Sequence, residues 1–428
     1  MKFATYFFIA GMSLLTLFAC QQKDNDIKEE VKGSEQVINN MDTTKIDRVL
    51  SNFIENDDFM GVSALVYRGN EEVYFGAFGL ADKESSTPFS RNSLVNIYSM
   101  TKPVTGTVLM SLYEEGLFDL EAPLSTYLPE YSNMLVVDGT KEDGSVKLVT
   151  ANREIKVIDI FRHTACFGYG WEGTYSANIM NEKEILDPKK PLSQFSQELA
   201  AIPLYCHPGE QWKYGVSVDV QARLAEVVSG KPYLELVNER VLSPLNMQKT
   251  RYFIPAEEKS NISAVYIKYD TGELVRDTDE NVYGFFKEAP VQTNGGHGLV
   301  STIDDYMKFA LMLQNEGSYD GQQILKPETV ALMTKDHLPE DITEKEFLPS
   351  KGQMGFGLNV AVRIAPPADE SENYGAVGEF LWDGAASTLF WVDPLNDVTV
   401  IFFGQVIPFN NDAHKKFRDA VYEALDLK

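Results

Sequence analysis

Ser99-Met100-Thr101-Lys102 is the stretch whose residue types and spacing point most directly to chemistry. Serine is a weak nucleophile until a base takes its proton. Lysine serves as that base only when its ammonium is desolvated or set beside other cations. Residues i and i+3 of a helix share a face, with Cβ atoms about 5–6 Å apart, so Ser99 and Lys102 can share a proton across one hydrogen bond. Backbone N–H groups left unpaired at a helix start also favour negative charge near the serine. Pro103 suits a first turn, where a missing N–H costs least. Val104, Val108 and Leu112 repeat at helical spacing, with Leu109, Met110 and Tyr113 on the other sides, which predicts a buried helix within Ser99–Leu117. A lone S-x-x-K is a weak signal, because most such serines are caps and most such lysines are solvated. No other serine in the chain has lysine three residues on.

A second group suited to proton transfer is Tyr214, at the end of His207-Pro208-Gly209-Glu210-Gln211-Trp212-Lys213-Tyr214. Pro-Gly forces a turn, and Trp212 and Tyr214 point to one side of the short extended piece that follows. Ser217 then caps a helix with Val220, Leu224, Val227 and Val228 inward, and Gly230 ends it. A tyrosine held between a turn and a helix start is firmly positioned. Beside a lysine cation its phenolate is favoured over the free value of about 10. The five histidines, His163, His207, His297, His337 and His414, are far apart, and no H-E-x-x-H, metal-spaced Cys/His cluster or phosphate-binding glycine loop appears. Neither a metal nor another cofactor is expected.

The elements that must position these groups have ample chain. With 428 residues, 44% hydrophobic and 11% aromatic, the composition is that of a soluble globular enzyme with two packed regions. A formal charge of −25 disfavours nucleic acid and anionic lipid as partners. Residues 1–19 read as a targeting segment, with Lys2 at the positive end and an apolar run over Phe3–Phe18. Leu17-Phe18-Ala19-Cys20 resembles a bacterial lipobox, so Cys20 is expected to carry lipid and to anchor the exported protein in the cell envelope, at the outer membrane, on its periplasmic side or at the cell surface. Residues 20–42 then form a disordered tether, and residues 43–428 a single catalytic domain, expected to be a monomer. Cys166 and Cys206 remain, as a disulfide or as two buried thiols; sequence leaves both open.

In order, Thr43–Ile54 reads as a helix with Ile46, Val49, Leu50 and Phe53 on one face, started by Thr43 or Thr44. Val62–Tyr67 and Val73–Phe78 read as strands around a polar turn. Met134–Arg153 is turn-rich and reads as a surface excursion, and Tyr269–Glu280 as an exposed loop. Ser301 and Asp304 form a capping-box-like start to a helix over Asp304–Asn315. Gly378–Leu381, Ser387–Val392 and Val398–Phe403 read as strands, and Phe417, Val421 and Leu425 mark a final amphipathic helix packed with the first on the sheet.

Four segments then carry a family resemblance. Asn96–Thr105 resembles the nucleophile segment of the serine β-lactamase and penicillin-binding-protein superfamily, in particular its branch of carboxylesterases and acyltransferases. Phe161-Arg162-His163-Thr164-Ala165-Cys166-Phe167-Gly168-Tyr169-Gly170 is similar to the family's L-L-x-H-T-S-G-L-G-Y-G, and Asn294–Tyr306 to its G-G-x-G-L-V-S-T-x-x-D-Y. Tyr214-Gly215-Val216 takes the place of the second motif, with Val216 where β-lactamases carry Asn. Trp382-Asp383-Gly384-Ala385 lies where they carry K-T-G and resembles the W-G-G of the esterases.

The resemblance implies an α+β fold of the β-lactamase/transpeptidase type. An antiparallel sheet from the N- and C-terminal strands is flanked by helices, with a largely helical insertion from about 120 to 290. It implies a serine hydrolase in which Ser99 forms an acyl-serine with help from Lys102 and Tyr214, and the N–H groups of Ser99 and Ala385 form the oxyanion hole. Gly384 lets substrate lie against the strand, and Asp383 narrows or charges the pocket. Trp382, Tyr169, Trp171 and His297 are the other expected pocket residues. His163 is assigned a structural, hydrogen-bonded role, because no G-x-S-x-G accompanies it. The expected partner is a small-molecule ester or amide, with esters first. The alternatives are a β-lactamase or D-alanyl-type peptidase, a transacylase, and a non-catalytic lipoprotein that binds cell-wall or glycan ligands. The absent K-T-G lysine and the absent asparagine weigh against the first of these.

Overall fold

The computed structural model describes residues 41–279, 286–288 and 291–428. The expected leader, Cys20 and the tether up to residue 40 lie outside the described residues, as does Glu280. Met41 and Asp42, assigned to the tether from sequence, join the fold: the Asp42 N–H donates to the Ala424 carbonyl (3.1 Å).

The chain opens with helix α1 (Thr44–Glu55), strands β1 (Gly61–Arg68) and β2 (Glu71–Asp82), and the two-residue strand β3 (Thr87–Pro88). Helices α2 (Thr101–Glu114), α3 (Ser217–Ser229) and α4 (Ile303–Gln314) follow. The last third supplies β4 (Met354–Phe356), β5 (Ala361–Arg363), β6 (Phe380–Gly384), β7 (Thr388–Asp393), β8 (Val398–Gly404) and helix α5 (Asn411–Ala424). Among the described residues these strands form one eight-stranded sheet in the order β4-β5-β6-β7-β8-β1-β2-β3, with every adjacent pair antiparallel.

Strands β6, β7 and β8 are buried at every residue because both their faces are covered, whereas β2 is largely half-exposed. Phe390 and Trp391 are neighbours on β7, so their side chains point to opposite faces. Phe390 meets Tyr306 of α4 (ring centroids 5.3 Å apart) and Trp391 meets Phe417 of α5 (5.7 Å). Phe53 of α1 joins the second layer through Phe402 (6.2 Å), which also packs on Phe417 (4.9 Å). Helix α2 is buried from Thr101 to Leu112 and packs on α3. A helix enclosed on all sides needs no amphipathic stripe.

Several local expectations are corrected. Residues 134–153 do lie mostly at the surface, there as an ordered hairpin, Leu135–Thr140 paired with Val146–Thr150. Residues 266–276 form another, Tyr266–Lys268 with Leu274–Arg276, whose first strand also pairs in parallel with Val406–Ile407. Val216, and not Ser217, is the N-cap of α3; it makes no side-chain cap, and the Ser217 hydroxyl is buried without a partner. Val227 is 39% exposed, on the outer side of that helix. Thr302 caps α4 by accepting from the Asp305 N–H (3.4 Å), because Ser301 is already committed to a bridge with Val95.

The stem of β6 is anchored by charge. Glu379 is fully buried and accepts from Arg363 Nε (2.8 Å), Arg418 Nη2 (2.7 Å) and the Tyr422 hydroxyl (3.1 Å). Removing one partner of such a buried cluster leaves charge uncompensated. Glu379→Ala should therefore cost about 3–5 kcal/mol of stability, read from urea unfolding. A loss within experimental error would show that the cluster does not hold β6.

Candidate active site

Ser99 sits in the 3-10 turn Tyr98–Met100, which runs directly into α2. The chain reaches it through Val95–Asn96 and turns at Tyr98, whose φ of 44° lies in the left-handed region that bulky residues rarely adopt. Hydrogen bonds from several elements hold this turn. The Ile97 N–H donates to the Leu299 carbonyl (3.1 Å), the Tyr98 N–H to Asn96 Oδ1 (3.1 Å), and the Tyr306 hydroxyl to the Met100 carbonyl (2.8 Å).

Lys102 follows in the first turn of α2, fully buried, with Nζ 3.0 Å from Ser99 Oγ and 2.7 Å from the Gly296 carbonyl. Burial pulls its ammonium down to about 7, against the charges of Asp219 and Asp383, which favour the proton. Asp219, in the first turn of α3, accepts the Gly296 N–H at Oδ1 (3.0 Å), and its Oδ2 is buried without a hydrogen-bond partner among the described residues. The Gly295-Gly296 segment passes so close to α3 that a Cβ on Gly295 would lie 2.2 Å from the Val218 carbonyl oxygen. Glycine is required there for the Gly296 carbonyl to reach Lys102.

The Tyr214 ring lies beside the lysine, its centroid 4.8 Å from Nζ. His163 (4.8 Å), Phe347 (5.1 Å), Tyr169 (5.5 Å) and Trp382 (5.5 Å) pack around it. Below it, the Lys213 N–H donates to the His163 carbonyl (2.8 Å) and the Tyr214 N–H to Glu346 Oε2 (2.9 Å). Burial holds the phenol above its ordinary value, and the Ser99 hydroxyl opposes that rise. The expected phenolate is thus corrected: burial of the ring, with the Asp383 charge acting in the same sense, favours the neutral phenol. His163 is also corrected in part. It is buried with neither ring nitrogen hydrogen-bonded among the described residues, and burial holds it well below the usual imidazole value, so it serves as a neutral aromatic wall. Cys166 and Cys206 form a disulfide that ties the His163–Gly170 loop to the segment leading to Tyr214.

A cavity of about 630 Å³ opens on Ser99 and Tyr214. Of the other residues singled out in the sequence, Tyr169, Trp171, His297, Asp383 and Ala385 line it. Trp171 is 76% exposed at the rim. Trp382 and Gly384 do not line it. Trp382 is buried behind Tyr214, and the space beside Gly384 is taken by Thr388 Oγ1 (2.3 Å from an added Cβ) and the Ile97 carbonyl (2.5 Å). Gly384 therefore lets β6 approach the nucleophile turn, and its role is packing. Lys351, Phe347 and Phe409 also line the cavity and were not singled out. They lie in segments with no motif, and only the fold brings them to Asp383. Asp219 reads in sequence as an ordinary acidic residue of a helix start.

A family model described as Beta-lactamase matches residues 46–422. Protein Rv1367c of Mycobacterium tuberculosis is 30% identical over 81% of this chain and 86% of its own. Esterase EstB of Burkholderia gladioli is 25% identical over 88% of this chain and 94% of its own. Among solved structures, EstCE1, described as a hydrolase with promiscuous acyltransferase activity, superposes with a TM-score of 0.74 at 23% identity, covering 91% of this chain and 99% of that one.

Since Lys102 loses its proton at about pH 7, Ser99 should become more nucleophilic as pH rises to that point. The rate of Ser99 phosphonylation by a neutral fluorophosphonate should climb about tenfold per unit below pH 7 and level off above it. A flat profile from about pH 5 to about pH 9 would remove Lys102 as the controlling base.

Proposed function

The chain belongs to the Beta-lactamase family and is a serine hydrolase, and on that premise we propose that it is an esterase acting on small carboxylic esters through an acyl-serine intermediate. The observation that carries this reading is the buried Lys102, with Nζ 3.0 Å from the Oγ of Ser99, which lines the cavity; burial pulls the ammonium down to about 7. Neutral Lys102 takes the hydroxyl proton as Oγ attacks the ester carbon, and the carbonyl electrons move onto oxygen. The N–H groups of Ser99 and Ala385 are the proposed donors to that oxyanion. As the intermediate collapses, the bond to the alcohol oxygen breaks and the Tyr214 phenol supplies the leaving proton, regained from Lys102. Water then attacks the acyl-serine, passes its proton through the same pair, and frees the acid and Ser99.

Esters are favoured over β-lactams and D-alanyl peptides because Val216 and Trp382 stand where those enzymes carry Asn and the K-T-G lysine. The likeness to EstB supports the same side. Transfer to an acceptor alcohol or amine in place of water is the second reading, favoured by the likeness to EstCE1. It would appear as acylated acceptor when an alcohol is added to the assay. The Leu17–Cys20 motif supports attachment to the bacterial cell envelope through Cys20. Metabolic palmitate labelling that persists in Cys20→Ala would refute that attachment.

The decisive assay is kcat/KM on a short-chain p-nitrophenyl ester and on a chromogenic cephalosporin. Ester turnover should dominate. Ser99→Ala should lower it at least about 10⁴-fold, and Lys102→Ala at least about 10²-fold. Dominant cephalosporin turnover, or full activity without Ser99, would overturn the reading.

A further inference from the structure

One charged feature of the cavity neither forms a bond nor moves a proton in the acyl transfer. Lys351 ends the short 3-10 turn Leu348–Lys351, and its ammonium is ion-paired with the Asp383 carboxylate of β6. Their side chains are only 5% and 11% exposed, and what surface they keep faces the cavity. The rings of Phe347, Trp382 and Phe409 surround the ammonium, with centroids 5.4, 5.3 and 4.9 Å from Nζ. Among the described residues that line the cavity, these two are the only Lys, Arg, Asp or Glu side chains.

We propose that the Lys351–Asp383 pair sets the charge preference of the pocket: Asp383 cancels the Lys351 cation, so the site takes uncharged esters and turns away esters that carry a carboxylate. The proposal rests on the esterase reading above. A substrate carboxylate must shed its hydration to enter. It can then reach Lys351 only by coming beside Asp383, a like charge, among the rings of Phe347, Trp382 and Phe409. The pair is net neutral, so no field repays that cost. An aliphatic or aryl acyl chain meets the aromatic lining without it.

Lys351 serves the reaction in the opposite sense. Asp383 lies two residues before Ala385 on the segment that packs against the nucleophile turn. Its bare charge would oppose the negative charge that grows on the ester oxygen, and pairing with Lys351 masks it.

The test compares two esters of similar length, p-nitrophenyl hexanoate and mono-p-nitrophenyl adipate, with the full chain and its variants. The wild type should prefer the hexanoate at least about tenfold in kcat/KM. Asp383→Asn frees the cation and should shift that ratio at least about tenfold toward the adipate, whereas Lys351→Met should shift it further toward the hexanoate. The double variant, with no charge on the wall, should fall between the two. Damage to folding lowers both rates together and leaves the ratio in place, so opposite shifts from the two single variants identify the pair as the reader of charge. A wild type that prefers the adipate, with the preference lost in Lys351→Met, would make Lys351 an open carboxylate anchor and overturn the proposal. An unchanged ratio in every variant would overturn it too, while the esterase reading stands. Absence of Ser99-dependent turnover on both esters would instead defeat the esterase reading, and this proposal with it.

Discussion

A lysine ammonium enclosed in protein is the constraint around which this structure is arranged. An isolated charge cannot stay buried at small cost, so the group either finds compensation or gives up its proton. Here the compensation is deliberately incomplete. Lys102 has one peptide carbonyl, from Gly296, and one hydroxyl, from Ser99, and the nearby carboxylates act on it without touching it. Asp219 accepts the N–H of Gly296, the residue whose carbonyl faces the ammonium. That residue, held at its N–H by a carboxylate and at its carbonyl by an ammonium, requires α2, α3 and the glycine segment to converge within a few ångströms.

Most of the remaining architecture follows from that convergence. Helix α2 is buried along nearly its whole length because its first turn must be kept from water. The glycines at 295 and 384 are where backbone replaces side chain, so that α3 can close on the lysine and β6 on the nucleophile turn. Aromatic rings fill the other side: His163, Trp212, Tyr214, Phe347, Phe356 and Trp382 pack edge to face or tilted against one another. Rings suit this position, since they exclude water while offering a cation a weakly attractive face. A tyrosine in such a setting keeps its proton, which leaves lysine to act as the base.

How much of this was legible in the sequence depends on the range of the signal. The S-x-x-K pair, the helix behind it and the long strands are read from neighbours along the chain, where spacing and apolar runs speak directly. The cap of α3 was misplaced by one residue, because the turn at Tyr214-Gly215-Val216 settles the helix start and Ser217 is drawn inside it. Gly384 was legible as a close approach, but sequence gave no means of telling whether substrate or the Ile97 carbonyl approaches. Lys351 was not legible at all. It stands 32 residues from its carboxylate, in a segment of ordinary composition, and only the fold of the sheet edge brings the two together. Asp219 was hidden for the opposite reason, since an acidic residue in a first helical turn already has an adequate explanation.

The sheet order has a consequence for how the molecule comes into being. Strand β1 lies between β2, its immediate successor, and β8, made more than 300 residues later, with Val62 opposite Gly404 and Arg68 opposite Val398. While the chain is being synthesised, β1 and β2 can pair as a hairpin, but the other edge of β1 stays open until almost the last residues emerge. The middle of the chain must therefore be spooled out before its two ends are joined. Such non-local closure is slow and leaves an apolar edge exposed to other chains in the meantime. A chain cut short before residue 398 would lack that closing strand, so the protein has no shorter version of itself to fall back on.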